Sequence, residues 1–557
     1  MGNTRATADT AVGGRSVRSF GYVALLIVGS AVAFATTSTT GFMGDDFEST
    51  LSVIKPGPRL DWLTSVGAGG HVRPVLWASV WANHAAFGLT PLGWHAVNMS
   101  LHAVTAWLVA VLAGALVEQG GVEADHPTTH TVRRVAPPLA GLVFLLSPVH
   151  AGPVSWIAAR ADLLLAPLCI VSLLGWIRSR DRRGPWLGLS YAAFALALFT
   201  KESAMTFPLV LVAYEVWFPR PFVSRYASLR RSAGRLISVG VILGAYLVHL
   251  ATADAGFLEH QGRNLRSDGL DAVRSGLQTL VRSVFPSMPP TGWALVVLLT
   301  LAGLAWWTVV WHRAWKRGER LLWGETLGFL ASAMVASVLP TARLGTSLTT
   351  PGGGRFAYLP SVFAAIAVAL ALALLMARIP RLGTAAVTTV LLGSAIALVA
   401  SNQTYVRAGE VTARLSDDQA QWPKDGPITV LVAPDTIGGA WIGRNRSPSD
   451  LILVHNWTDQ GRYTEVSSFT MSGPKDTVTA SRGTCPWCVR LELDAPDARF
   501  ALPDLSDVPT DPTAPLPHVI AMDDRSIDIE LDPTVDPETL WFFSGGHLVP
   551  LELPVGA

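Results

Sequence analysis

Charge is the scarcest property of this chain. Asp, Glu, Lys and Arg make up 15% of its 557 residues, against roughly 25% in ordinary soluble proteins. With a mean hydropathy of +0.38 and repeated apolar runs of about 18–25 residues, that shortage excludes a single soluble domain. It indicates a polytopic helical membrane protein. Cysteine is nearly absent, at three residues, which excludes a disulfide scaffold. No groove or patch gathers the basic residues, so nucleic acid has no footing as a partner. The first apolar stretch carries no convincing cleavage site and reads as a retained span.

What is present is a series of eleven apolar segments. They lie at about 20–38, 92–117, 135–149, 154–177, 186–200, 204–218, 236–253, 291–311, 322–340, 357–377 and 382–401. Residues 1–19 form a polar tail, and 39–72 a long polar loop after the first span. The stretch Arg73–His84 is too short and polar to cross. With Pro74 in its first turn, it reads as a helix along the interface, anchored by Trp77 and Trp81. Loop charge sets the orientation. The N-terminal tail and alternate loops hold 20 Lys and Arg, and the longer opposite loops hold 10. The first set is therefore cytoplasmic. Eleven spans then place the C-terminus outside a plasma membrane.

From 402 to 557 the composition turns to Pro, Asp, Thr and Ser, with short apolar runs at 428–433, 451–454 and 489–493. That pattern reads as a β-rich extracytoplasmic domain, a sandwich or close to one, with no repeat of 20–50 residues. Cys485 and Cys488 lie in it. A redox dithiol would have a helix N-terminus at the second thiol; none follows, so the pair reads as a structural disulfide clipping a turn. Cys169 is a small apolar residue within a span.

Polar side chains converge at the outer ends of the spans. The loop Gly41–Glu48 carries Asp45, Asp46 and Glu48. Carboxylates held at the membrane edge are costly unless they serve an ion, a proton or a substrate. His95, Asn98 and His102 are spaced three and four apart, on one helix face. His150, Arg160 and Asp162 follow at the junction of two spans, and Lys201 and Glu202 at the next. Pro351-Gly-Gly-Gly-Arg355 precedes Tyr358. Its glycines would let backbone approach a ligand, and Arg355 at a helix head suits a phosphate. Taken singly, each residue is as well explained by packing. The inner loops show basic residues and little else.

The same residues carry a resemblance to a known family. The texts Arg73-Pro-Val-Leu, Leu89-Thr-Pro-Leu-Gly-Trp-His95-Ala-Val-Asn98, Ser147-Pro-Val-His150, Trp156-Ile-Ala-Ala-Arg160-Ala-Asp162, Thr200-Lys-Glu-Ser203 and Gly354-Arg-Phe-Ala-Tyr-Leu-Pro360 occur in the family's order. The chain resembles the C superfamily of membrane glycosyltransferases, closest to the protein O-mannosyltransferase branch whose animal members carry tetratricopeptide repeats. Ser147 stands where the family usually has His, Ala159 where it has Gly, and Gly354 where it has an acid. The repeats are replaced by the β-rich domain.

The resemblance implies transfer of a sugar from a polyprenyl-phosphate donor to a hydroxyl acceptor, protein or cell-envelope glycan. It implies inversion, with Asp45 or Asp46 as the catalytic acid of the first loop. Arg355, with Lys201 or Arg160, would steady the leaving phosphate; Glu202, Asp162, His150, His95, His102 and Tyr358 would line the donor site. No metal or cofactor is expected, although an Asp pair is also a hard-ion ligand set. The alternative is a transporter or flippase of a lipid-linked precursor, which predicts polar groups at mid-membrane and inverted repeats.

Overall fold

A computed structural model describes residues 17, 19–47, 53–54, 57, 60–64, 71–120, 127–180, 184–219, 225–253, 269–288, 291–292, 323–342, 344, 346–419, 422, 428–443, 463–501 and 517–552. Contacts divide the chain into two units. One comprises Met1–Ala35, Pro58–Ser155 and Ala159–Ser401; the other comprises Thr36–Gly57, Trp156–Ala158 and Asn402–Ala557. Part of the first loop therefore groups with the C-terminal residues, although it follows the first span in sequence.

The first unit is helical and the chain is a multi-pass membrane protein. Among the described residues, five helices are long and apolar enough to cross a membrane: Pro91–Gln119, Ile157–Arg178, Tyr226–Thr252, Gly354–Arg378 and Pro380–Asp418. A sixth span results if Pro127–Leu145 and Pro148–Ser155, bent by 41°, count as one. Phe20–Ala33 and Pro185–Leu198 are apolar but shorter. Phe207–Trp217 and Gly324–Val338 stand where spans were expected, at 11 and 15 residues, below the ~20 that a crossing needs. The expected span at 291–311 lies almost wholly outside the described residues. Five or six full-length spans are thus supported, and the count of eleven rests on hydropathy alone.

The helix Pro74–Phe87 has proline at its start, where a missing N–H costs nothing. It buries Leu76, Val80 and Asn83, spaced by four and three along one face. Pro91–Gly120 packs on Phe20–Ala33, where the Ser30 hydroxyl donates to the Met99 carbonyl at 2.9 Å. It packs on its other sides against Pro127–Leu145 and Arg160–Arg178.

The second unit holds twelve described strands in three four-stranded sheets. One has the order β12 (His547–Pro550), β11 (Leu540–Ser544), β1 (Ile428–Val430), β4 (Tyr463–Glu465). Another runs β6 (Val478–Arg482), β7 (Cys488–Leu493), β10 (Ser526–Glu530), β9 (His518–Met522). The third runs β3 (Ala440–Trp441), β2 (Ala433–Ile437), β5 (Ser468–Met471), β8 (Arg499–Ala501). Strand β1 pairs parallel with both neighbours, and β2 with β5. Where a sandwich or something close to it was expected, the described strands form three sheets, two of them mixed and one, β6-β7-β10-β9, antiparallel. Alternating apolar runs mark strands but not their direction. The expected run at 451–454 lies outside the described residues. Cys485 and Cys488 form a disulfide in the turn between β6 and β7, where Cys488 N–H donates to the Cys485 carbonyl at 3.0 Å. Cys169 is a buried free thiol in Arg160–Arg178.

Candidate functional site

The predicted residues of the first unit separate into two layers. The deeper layer is packing. His102 is fully buried, with Nε2 3.1 Å from the Leu145 carbonyl and Nδ1 2.9 Å from the Tyr358 hydroxyl. A carbonyl only accepts, so Nε2 carries the proton and the phenol donates to Nδ1. His150, also fully buried, meets the Ser361 hydroxyl at 2.8 Å, and Ser361 donates to the Tyr358 carbonyl at 2.7 Å. The rings of His102, His150, Phe144 and Tyr358 lie 4.3–5.9 Å apart. They lock three helices together, and none of them faces an open surface.

Arg160 is likewise fully buried. Its Nε donates to Asn98 Oδ1 at 2.9 Å and its Nη2 to the Trp94 carbonyl at 3.2 Å, with the guanidinium 5.1 Å from the Trp94 ring. Asn98 in turn donates to the Val154 carbonyl at 3.3 Å. The spacing of His95, Asn98 and His102 does build one face, and that face is buried against neighbouring helices. His95 is 1% exposed.

The shallower layer is ionic. Lys201 Nζ meets both oxygens of Asp162 at 2.6 Å. The neighbouring Glu202 takes a two-pronged bond from Arg73, at 3.0 and 2.7 Å, and lies 3.1 Å from His71 Nδ1. Arg355 is half-buried in the turn Gly354–Ala357, just ahead of Tyr358–Arg378. Its guanidinium lies 4.9 Å from the Phe356 ring, and Lys201 Nζ lies 5.9 Å from the same ring. Three cations thus stand with two carboxylates. Burial would raise Glu202, but Arg73 and then His71 hold it well below the usual carboxylate range. Burial lowers the Lys201 ammonium; Asp162 opposes this, and Arg355 and Arg73 add to it.

Two of the glycines before Arg355 are required by the chain itself. Gly353 takes φ +72°, and a Cβ on Gly354 would sit 2.6 Å from the Val149 carbonyl oxygen.

The first-loop acids belong to the second unit, where they differ from one another. Asp46 is fully buried. Its Oδ2 accepts from Met43 N–H at 3.0 Å and its Oδ1 from Ala158 N–H at 2.5 Å. It closes the loop, while Asp45 stays half-buried beside it. Gly44 at φ +52° makes the turn, and a Cβ there would come 2.9 Å from Trp441 Cβ. Trp156 Nε1 donates to the Met43 carbonyl at 3.3 Å. Glu48 lies outside the described residues. Among the described residues, no three His, Cys, Asp or Glu side chains group as metal ligands.

Sequence reasoning missed three members of the ionic layer: His71, Arg73 and Tyr246. Tyr246 is 3% exposed and lies within electrostatic range of Glu202 and Arg73. Its hydroxyl has no hydrogen-bond partner among the described residues, and neither does His249 Nε2. Both rings pack on Phe199, at 5.4 and 5.6 Å. The available signal was a Tyr and a His three apart near the end of an apolar helix.

No protein-family model matches the chain. It is 31% identical over 196 residues to Protein O-mannosyl-transferase Tmtc1 of Drosophila melanogaster, covering 32% of this chain and 21% of the relative. It is 28% identical over 225 residues to Protein O-mannosyl-transferase TMTC2 of Homo sapiens, covering 37% and 25%. The match to Protein O-mannosyl-transferase TMTC4 of Homo sapiens is 33% over 129 residues, covering 21% and 17%. The chain therefore spans a quarter or less of the length of these curated relatives. They are the O-mannosyltransferases that the motifs resemble. Among solved structures it is similar to ArnT from Cupriavidus metallidurans bound to undecaprenyl phosphate. The TM-score is 0.40 at 13% identity, over 93% of this chain and 99% of that one. A likeness this distant places no residue and no ligand.

Proposed function

We propose that this chain is a membrane glycosyltransferase that moves a sugar from a polyprenyl-phosphate donor to a hydroxyl acceptor, with inversion, on the face opposite its basic loops. The observation that carries the reading is the ionic layer around Lys201, Glu202 and Arg355, where cations outnumber carboxylates at one end of an apolar bundle. Such a place suits a phosphate on a greasy tail.

The chemistry assigns the roles. The acceptor oxygen attacks the anomeric carbon as the bond from that carbon to the phosphate oxygen breaks. The acceptor proton passes to a carboxylate, and the lipid phosphate leaves with the bond's electrons. Asp45 is the base, because Asp46 already receives two backbone N–H groups and a carboxylate so engaged is a poor proton acceptor. Lys201 and Arg355 meet the charge that grows on the leaving phosphate. Asp162 and Glu202 position the cations. His95, His102, His150, Arg160 and Tyr358 support this layer from beneath.

Purified enzyme given a polyprenyl-phosphate sugar tests the assignment. Asp45→Asn should lower turnover by about 10²–10⁴-fold, the usual weight of a general base, with unchanged thermal unfolding. Asp46→Asn should loosen the loop and lower the melting temperature. Turnover at the wild-type level in Asp45→Asn would remove the mechanism.

A further inference from the structure

The helix Gly269–Arg282 is built the wrong way round for a water-facing surface. Its buried residues are Ser275, Gly276, Thr279 and Arg282, while Leu270 is 83% exposed and Val273 and Leu277 are more than half exposed. The small and polar side carries the packing. A Cβ on Gly276 would stand 3.4 Å from Ala342 Cβ and 3.7 Å from Val338 Cγ1, and Thr279 Oγ1 lies 2.8 Å from Thr346 Oγ1. At about 100° per residue, Leu270, Val273, Leu277, Leu280 and Val281 share one sector of about 100°. Asp271, Arg274 and Gln278 fall in a narrower sector on its flank, with Asp271 and Arg274 exposed. Three faces thus run the length of the helix: one against the protein, one apolar and one polar.

The occupant of the apolar face follows from its borders. At 14 residues the helix rises about 21 Å, too little to cross the ~30 Å of a bilayer's hydrocarbon. Were its axis to run across the membrane, the charged flank would stand in hydrocarbon at a high cost. An apolar stripe edged lengthwise by charge suits an axis lying along a boundary between lipid and water. Two neighbours fix that boundary. The helix touches the turn Gly354–Ala357, which heads the apolar span Gly354–Arg378 and so lies at a membrane edge. It also packs on Gly324–Val338, where the exposed Val335, with Leu339 and Leu344 after it, continues the apolar surface. A stripe reserved for a second copy of this chain would be set apart from the bundle's lipid-facing side, and this one is continuous with it. Asp271 and Arg274 carry opposite signs, so the flank selects water over a charged partner.

We infer that Gly269–Arg282 lies in the plane of the membrane interface, at the end of the bundle that carries Arg355. Leu270, Val273 and Leu277 stand among lipid acyl chains, and Asp271 and Arg274 stand in water. The bilayer is then the outer support of the turn Gly354–Ala357, because the helix touches that turn with one face and the lipid with another. What the lipid holds, through this helix, is the depth of Arg355. The inference stands apart from the transferase reading and needs no donor.

The full chain in lipid nanodiscs tests this without turnover. Its three cysteines are the buried Cys169 and the Cys485–Cys488 disulfide, so without reductant a nitroxide reaches only an introduced thiol. Val273→Cys, Leu277→Cys, Asp271→Cys and Arg274→Cys, all at exposed positions, are labelled one at a time. Labels at 273 and 277 should collide more with oxygen, which dissolves in hydrocarbon, than with a water-soluble nickel chelate, at a depth of about 5–10 Å. Labels at 271 and 274 should show the reverse order. Nickel access at all four positions would overturn the inference, as would a depth at the bilayer centre. Spin–spin broadening between labels at 273 would also overturn it, by giving the stripe to a second copy. The hold on Arg355 is read by hydrogen exchange of the Gly354 and Phe356 amides, which donate to the Pro351 and Gly353 carbonyls at 3.3 and 3.0 Å. In Val273→Asp/Leu277→Asp both should exchange faster, while amides of the buried helix Arg160–Arg178 keep the wild-type rate. Unchanged exchange at the turn would remove the link to Arg355. Should the double variant misfold, the single labels still decide where the helix lies.

Discussion

The helix Phe207–Trp217 has a buried carboxylate near each end, and the two are held differently. Glu215, fully buried, receives Trp176 Nε1 at 2.8 Å, the Ser232 hydroxyl at 2.8 Å, Arg180 at 2.5 Å and Arg235 at 3.5 Å. Both guanidiniums also lie over rings, Arg235 4.0 Å from Trp176 and Arg180 4.5 Å from Tyr214. Glu202, just before the other end, is paired with Arg73 and His71, and the nearby Tyr246 hydroxyl has no hydrogen-bond partner among the described residues. The first cluster ties one fully buried acid to side chains of two other helices. The second is shallower, with the half-buried Arg355 beside it. That difference separates a structural ion pair from a ligand site, although both read simply as buried charge.

The comparison is broken most easily at Glu215. Glu215→Ala leaves Arg180 and Arg235 buried together without their acid, at a cost of about 3–5 kcal/mol. The expected result is a large drop in melting temperature in detergent and little folded protein. A wild-type melt would mean that the Glu215 cluster is no more structural than the other. At the Lys201 end the opposite balance is expected. The double variant Lys201→Met/Asp162→Asn removes both charges, which is often near neutral for stability. Turnover should nevertheless fall about 10²–10³-fold, as when a preorganised donor to a developing oxyanion is lost. Parallel melts and assays of the two variants set the ends against each other.

The sequence made one of these ends legible and hid the other. The ionic layer was readable because Lys201, Glu202 and Arg355 sit at span boundaries, where charge stands out against apolar text. Glu215 was not, because it lies inside the run Phe207–Trp217 and its partners come from two other segments. The inner loops looked merely basic, whereas Arg180 and Arg235 are in fact committed to that one acid. Helix positions followed hydropathy closely, since the apolar period is local. The depth of His102 and His150 did not follow, because a histidine on one helix face reads the same whether it faces a pocket or another helix. The parallel pairing of β1 with β11 joins residues more than a hundred apart in sequence, and nothing in a short apolar run encodes that.

A subtler separation is available at Tyr246. Replacing it with Phe removes an oxygen that has no hydrogen bond to lose among the described residues, so thermal unfolding should stay within about 0.5 kcal/mol of the wild type. If that oxygen meets the donor phosphate, a bond to a charged group worth about 1.5–3 kcal/mol disappears, and kcat/KM falls roughly 10- to 100-fold. A loss of stability without a loss of activity would move Tyr246 to the structural side.

The smallest effect expected is in the pH dependence of unfolding. Glu202 titrates below its ordinary range because Arg73 and His71 outweigh its burial. A carboxyl depressed in the folded state adds stability above its unfolded pKa of about 4.3 and loses it as pH falls through the folded value. Between pH 7 and 5, Glu202 should therefore contribute no slope. Below about pH 4 the wild type should lose stability more steeply than Glu202→Gln, which has no proton to take up there. Parallel slopes in that acid range would mean that Arg73 does not hold the Glu202 charge in the folded protein, and the contrast between the two ends of the helix would lose its electrostatic basis.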